Sequence, residues 1–128
     1  MRVLLDTHTL LWFALNDPKL SVTAREIVGD PDTTVLVSPA SYWEIAIKIG
    51  LGRYTLDSPY DLFMERAIVG NKFVILPIEP RHTSILTTLP RLHGDPFDRL
   101  LIAQAMAECI PILSVDQCFS AYNIERMW

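Results

Sequence analysis

A three-layer α/β domain with a mostly parallel sheet flanked by helices is what this sequence predicts, and three observations lead there. Short runs that are apolar on both faces alternate with segments of helical length and periodicity. Two of those runs end abruptly at an aspartate, Val3-Leu4-Leu5 at Asp6 and Ile112-Leu113-Ser114-Val115 at Asp116. Helix starts are marked by Ser38-Pro39, Ser58-Pro59 and Asp95-Pro96, each a cap residue followed by a proline suited to the first helical position. At 128 residues, with no internal repeat, low-complexity tract or linker, residues 1–128 are expected to form a single domain.

Each element follows in order. Val3-Leu4-Leu5 predicts a buried first strand. Thr7 or Thr9 then caps a helix with Leu10, Leu11, Phe13 and Ala14 on its apolar face, stopped by Asn16-Asp17-Pro18. Ser21 caps a second helix through Val28, closed by Gly29-Asp30-Pro31-Asp32. Thr34-Val35-Leu36-Val37, β-branched and apolar, makes a second buried strand. Ser38-Pro39 opens a helix over about 39–49 that ends at Gly50 and Gly52. Ser58-Pro59 opens another, with Asp61 in its first turn and its end near Gly70. Phe73-Val74-Ile75-Leu76 is a strand closed by Pro77, and residues 79–88 are helical until Leu89-Pro90 breaks the chain. Asp95-Pro96 starts the longest helix, through about Glu108. Ile110 to Val115 forms a strand, and a short helix and a final strand at 123–127 complete the domain.

Composition excludes several classes. Half the residues are hydrophobic and a fifth are charged, which rules out a disordered chain. No apolar run approaches the roughly 18–20 residues that span a bilayer, and Asp6 interrupts what a secretory signal would need. Cys109 and Cys118 are too few for a disulfide framework and are expected to be buried, reduced thiols. The expectation is a soluble, cytoplasmic domain. Fifteen acids against eleven bases give a net charge of −4, whereas a plain phosphate-binding domain is usually basic. Either no polyanion is bound, or divalent cations neutralise some of the acids and become its docking point.

Ligands of open parallel sheets sit beyond the carboxyl ends of the strands, where Asp6 and Asp116 fall. Each alone is more simply read as a helix cap following a strand. Together at one edge they repel unless a cation or proton intervenes. Glu44 and Asp98 lie in apolar helical stretches whose starts point towards the same edge. Glu44 has a plainer reading as an exposed residue paired with Lys48 four positions on. Asp98 has one as a first-turn acid favoured by the helix dipole, with Asp95 as cap. Four acids from four segments, with no His or Cys cluster, are the ligand chemistry of Mg²⁺ or Mn²⁺. Zinc is disfavoured, since His8, His82 and His93 show no ligand spacing.

Four blocks then stand together: Leu4-Leu5-Asp6-Thr7-His8-Thr9-Leu10-Leu11-Trp12, Ser41-Tyr42-Trp43-Glu44-Ile45-Ala46-Ile47-Lys48, His93-Gly94-Asp95-Pro96-Phe97-Asp98-Arg99-Leu100-Leu101-Ile102-Ala103-Gln104-Ala105, and Leu113-Ser114-Val115-Asp116. In order and spacing, over essentially the whole chain, they resemble the PIN-domain nucleases, and most of all the VapC-type toxins of type II toxin–antitoxin systems. The resemblance implies a Mg²⁺- or Mn²⁺-dependent endoribonuclease restrained by a small cognate antitoxin protein, in a family that commonly forms homodimers. Asp6, Glu44, Asp98 and Asp116 match the family's acidic quartet of catalytic and metal-binding residues. Asp95 is an extra acid, a helix cap or an outer ligand; Thr7 would orient Asp6 or hydrogen-bond a metal water. Ser114 occupies a slot where many relatives have Thr. The resemblance also implies in-line attack of water on phosphorus, leaving a 5′-phosphate and a 3′-hydroxyl.

Other conspicuous residues have plainer readings. His8 and His93 flank two acids but are expected to cap or pack, and Arg99 to pair with a neighbouring acid. Trp12 and Trp43 are expected in the core. The apolar run from Trp43 to Ile49 with Leu51 exceeds what one core-facing stripe needs, and suits a dimer or antitoxin contact. An aspartyl-nucleophile phosphatase is a rival, but position 8 is His where that chemistry expects Asp. A response-regulator receiver would need an acceptor aspartate ending a central strand, and Asp57 follows no buried run. A PIN fold used only for RNA or partner binding is the remaining rival.

Overall fold

The apolar runs of the sequence become five strands of one sheet in this computed structural model, which describes residues 1–128. They are β1 (Arg2–Leu5), β2 (Thr34–Val37), β3 (Val74–Ile75), β4 (Ile112–Leu113) and β5 (Arg126–Met127). Their order is β3-β2-β1-β4-β5 and every pairing is parallel. Eight helical segments connect them: α1 (Thr7–Ala14), α2 (Val22–Gly29), α3 (Pro39–Gly50), α4 (Tyr60–Met64), a π-turn over Glu65–Val69, α5 (Pro80–Leu86), α6 (Pro96–Glu108) and a 3₁₀ turn over Gln117–Ala121. None is long and apolar enough to cross a membrane.

The expected three layers are present. Val3, Leu5, Val35 and Val37 point to one side of the sheet, where they meet Leu10 and Leu11 of α1, Ala24 and Val28 of α2, and Phe63 and Met64 of α4. Leu4, Leu36 and Ile112 point to the other, against Leu101, Ile102 and Ala105 of α6 and Phe119 of the 3₁₀ turn. This alternation is the pleat of the strands, and both faces are apolar because both are covered. Each fully buried leucine contributes about 1.5–3 kcal/mol through area removed from water. Helix α3 serves both layers, Ala40 in one and Ile45 in the other.

Boundaries differ from the sequence expectation where the backbone is used twice. The expected strand from Ile110 starts only at Ile112, because the Ile110 N–H closes α6 on the Ala105 carbonyl and Pro111 has no N–H. Phe73 is likewise lost to β3, its N–H bonding the Ile68 carbonyl. Helix α4 begins after Pro59 without a side-chain cap and passes into a π-turn over Glu65–Val69 before Gly70. Ser21 caps α2 and Ser38 caps α3 as expected, and Gly52 beyond α3 takes φ +72°, the left-handed region that favours glycine.

Candidate metal centre

The strand order reverses between β1 and β4, since the chain builds outwards from β1 to β2 and β3 before returning to add β4 and β5 on its other side. The crevice beyond the carboxyl ends of β1 and β4 is therefore the switch point at which open α/β sheets bind ligands. Asp6 leaves β1 there, and Ser114, Val115 and Asp116 leave β4.

Asp6 is only 4% exposed and does two things. Its Oδ1 accepts the Thr9 N–H at 2.8 Å, capping α1, and its Oδ2 accepts the Ser114 hydroxyl at 2.5 Å. Neither Thr7 nor Thr9 is the cap, because α1 follows β1 so closely that residue 6 is the one with extended backbone before the first turn. The two threonines are freed for other bonds: Thr7 Oγ1 donates to Glu44 Oε1 at 2.8 Å, and Thr9 Oγ1 donates to the Leu113 carbonyl at 2.8 Å. Thr7 thus orients Glu44 rather than Asp6.

Glu44 on α3 is 6% exposed, so the plainer reading of it as a residue on an open helical face does not hold. Its partner is right: Lys48 Nζ lies 2.8 Å from Oε2. Asp95 caps α6, accepting the N–H groups of Phe97 at 2.8 Å and Asp98 at 3.0 Å. That cap sets Asp98 in the first turn, where its Oδ2 meets His93 Nε2 at 2.8 Å. Asp116 is exposed and caps the 3₁₀ turn through the Cys118 N–H at 2.9 Å, while its own N–H donates to Ser114 Oγ at 3.0 Å. Ser114, wholly buried, therefore ties the end of β1 to the end of β4.

Electrostatics couple Asp98 to Asp95 and Glu44, and Cys118 to Asp116, Asp98 and Asp6. Burial raises Asp6 above the ordinary carboxylate range, partly offset by the hydrogen bonds from Ser114 and Thr9. Burial pushes Asp98 up to about 6; the His93 hydrogen bond opposes this, and the charges of Asp95 and Glu44 add to it. Asp116 is held low, first by the Cys118 backbone N–H and also by the nearby imidazoles of His93 and His8. Cys118 is pushed up to about 12 by burial, with Asp116, Asp98 and Asp6 adding to the shift. Oxygen donors of this kind are the ligand chemistry of hard divalent cations.

Several expectations need correction here. Arg99 pairs with no acid: its guanidinium donates to the carbonyls of Leu89 at 3.0 Å, Pro90 at 3.0 Å and His93 at 3.2 Å, holding the segment before α6. Trp43 is 57% exposed, edge-on to Phe97, because the α3 face that carries it has no covering layer. Trp12 is part-buried as expected, against Trp128. Cys109 is exposed and Cys118 part-exposed rather than buried, and both are free thiols. Cys118 and His93 are the residues that sequence reasoning undervalued. Nothing in their spacing pairs them, and only the docking of β4 beside β1 brings the 3₁₀ turn to the start of α6.

The family model described as PIN domain matches residues 3–125, and the chain belongs to the PIN domain family. The fold is shared with solved structures of low sequence identity. A chain of VapBC2 from Rickettsia felis, solved bound to a promoter DNA fragment, is 15% identical with a TM-score of 0.71, covering 99% of this chain and 98% of that one. A chain of VapBC-1 from nontypeable Haemophilus influenzae is 16% identical with a TM-score of 0.64, covering 99% and 97%. A chain of FitAcB from Neisseria gonorrhoeae is 16% identical with a TM-score of 0.64, covering 98% and 96%. No curated protein matches the chain.

Proposed function

We propose that this chain is a one-domain, Mg²⁺- or Mn²⁺-dependent endoribonuclease, the toxin of a toxin–antitoxin pair, acting in the cytoplasm. The observation that carries the reading is the arrangement at the switch point: Asp6 and Asp116 leave the neighbouring strands β1 and β4 there and are joined through Ser114, while Asp98 of α6 feels the charge of Glu44 of α3. Only oxygen donors make up that quartet, which fits a hard cation. Asp6, Glu44, Asp98 and Asp116 would hold it. Bound there, the ion supplies Lewis acidity to the scissile phosphate and acidity to the attacking water.

The chain's own residues supply position. Asp6 is fixed at both oxygens by Thr9 and Ser114, so its remaining lone pairs keep one direction. Thr7 and Lys48 hold Glu44 between them. Asp95 fixes the turn that carries Asp98. Acidic side chains and a bound cation together reconcile a net charge of −4 with a polyanionic substrate.

The fold shared with chains of the VapBC2, VapBC-1 and FitAcB complexes supports the toxin assignment and a cognate antitoxin protein as partner. Trp43, Ile47 and Leu51 expose one apolar face of α3, which suits a homodimer or antitoxin contact. The test is cleavage of RNA by the purified chain with Mn²⁺ and with EDTA, alongside Asp6→Asn. Cleavage with Mn²⁺ alone, lost in the variant while the fold persists, is expected. RNA binding without cleavage, or a variant as active as the parent, overturns the reading.

A further inference from the structure

Asp98 faces a second kind of chemistry. A His93 ring nitrogen, an Asp98 carboxylate oxygen and Cys118 Sγ all lie within 4.8 Å of one another, and all three side chains are part-exposed. His93 comes from the loop before α6, Asp98 from its first turn and Cys118 from the 3₁₀ turn after β4. Sulfur and imidazole beside a carboxylate select borderline ions such as Zn²⁺ and Co²⁺ over Mg²⁺.

We propose that His93, Asp98 and Cys118 form a thiophilic divalent-metal site, open to solvent at its fourth position, and that filling it withdraws Asp98 from the hard-cation quartet. The dimensions suit it. Zinc holds nitrogen at about 2.0–2.1 Å and thiolate at about 2.3 Å, so tetrahedral ligand atoms stand roughly 3.5 Å apart. His93 Nε2 and Asp98 Oδ2, now hydrogen-bonded at 2.8 Å, would open to that spacing, and no ligand atom of the three stands more than 4.8 Å from another. The loop is already held for the purpose: the His93 N–H donates to the Tyr122 hydroxyl at 2.9 Å, and Arg99 grips the His93 carbonyl at 3.2 Å. The Cys118 N–H is tied to Asp116. Coordination transfers the thiol proton to solvent, leaving a sulfur–metal bond and no net oxidation. Ribonuclease control by Zn²⁺ then follows from one shared ligand, and that consequence rests on the function proposed above.

Metal-stripped, reduced full-length chain titrated with Co²⁺ tests the site without RNA. A near-ultraviolet sulfur-to-cobalt charge-transfer band saturating at one equivalent is expected. It should survive Cys109→Ser, vanish in Cys118→Ser, and need at least about tenfold more Co²⁺ in His93→Asn. No band in the parent chain, or a band that survives Cys118→Ser, overturns the site and leaves the ribonuclease reading standing. A band in a chain that cuts no RNA does the reverse. In Mn²⁺-driven cleavage, the Zn²⁺ concentration that halves the rate should rise at least about tenfold in Cys118→Ser. Equal Zn²⁺ sensitivity overturns the competition for Asp98.

Discussion

The Ser114 hydroxyl donates to Asp6 Oδ2 at 2.5 Å while accepting the N–H of Asp116, so one buried hydroxyl sets the spacing between the carboxyl ends of β1 and β4. Ser114→Ala leaves Asp6 and the Asp116 N–H without that partner. Mn²⁺ affinity measured by calorimetry should fall about 10- to 100-fold, as when an outer partner of a metal ligand is removed. Ser114→Thr, which keeps the hydroxyl, should retain most of it.

The metal-free chain should become more stable as pH falls from about 7 towards 5. Asp98 titrates at about 6 when folded but near 3.8 when unfolded, and Asp6 is raised in the same direction. Between those values the folded state binds more protons than the unfolded one, so stability declines as pH rises through the window. Thermal melts at a series of pH values would show this slope. Saturating Mn²⁺ should flatten or reverse it, and Asp98→Asn should diminish it without metal.

Glu108 works in the opposite sense. Its carboxylate takes contacts from His82, Arg2 and Arg81 and is lowered to about 2, the His82 hydrogen bond being the largest cause. Its contribution is present above the ordinary value of 4.5 and fades as pH falls towards 2. Glu108→Ala leaves fully buried His82 without its partner, which should cost about 1–3 kcal/mol at neutral pH in urea unfolding. The same variant should lose less stability than its parent on acidification.

Arg99→Lys keeps the charge but not the planar fork that reaches three carbonyls. We expect a loss of about 1–3 kcal/mol and faster hydrogen exchange over residues 89–95. Cleavage should weaken too, since that segment carries His93 and the Asp95 cap of the Asp98 turn.

The layers and the switch point were legible because strand runs, proline-marked helix starts and terminal aspartates are all local signals. Asp95 as a cap was legible for the same reason. Long-range bonds were not. The pairing of Thr7 with Glu44 joins residues 37 positions apart, and Ser114 with Asp6 joins residues 108 apart. Arg99 misled because a charged residue beside an acid invites an ion pair, whereas three bare carbonyls of a folded-back loop had the stronger claim. His93 and Cys118 carry no ligand spacing along the chain and meet only through the order of the strands.

The position of β1 between β2 and β4 has a consequence for synthesis. Asp6 and Glu44 are made early, but Asp116 follows β4, which begins at Ile112 and must dock beside β1. A nascent polypeptide therefore carries an incomplete set of acids until the stretch bearing Asp116 has left the ribosome and β4 has docked beside β1.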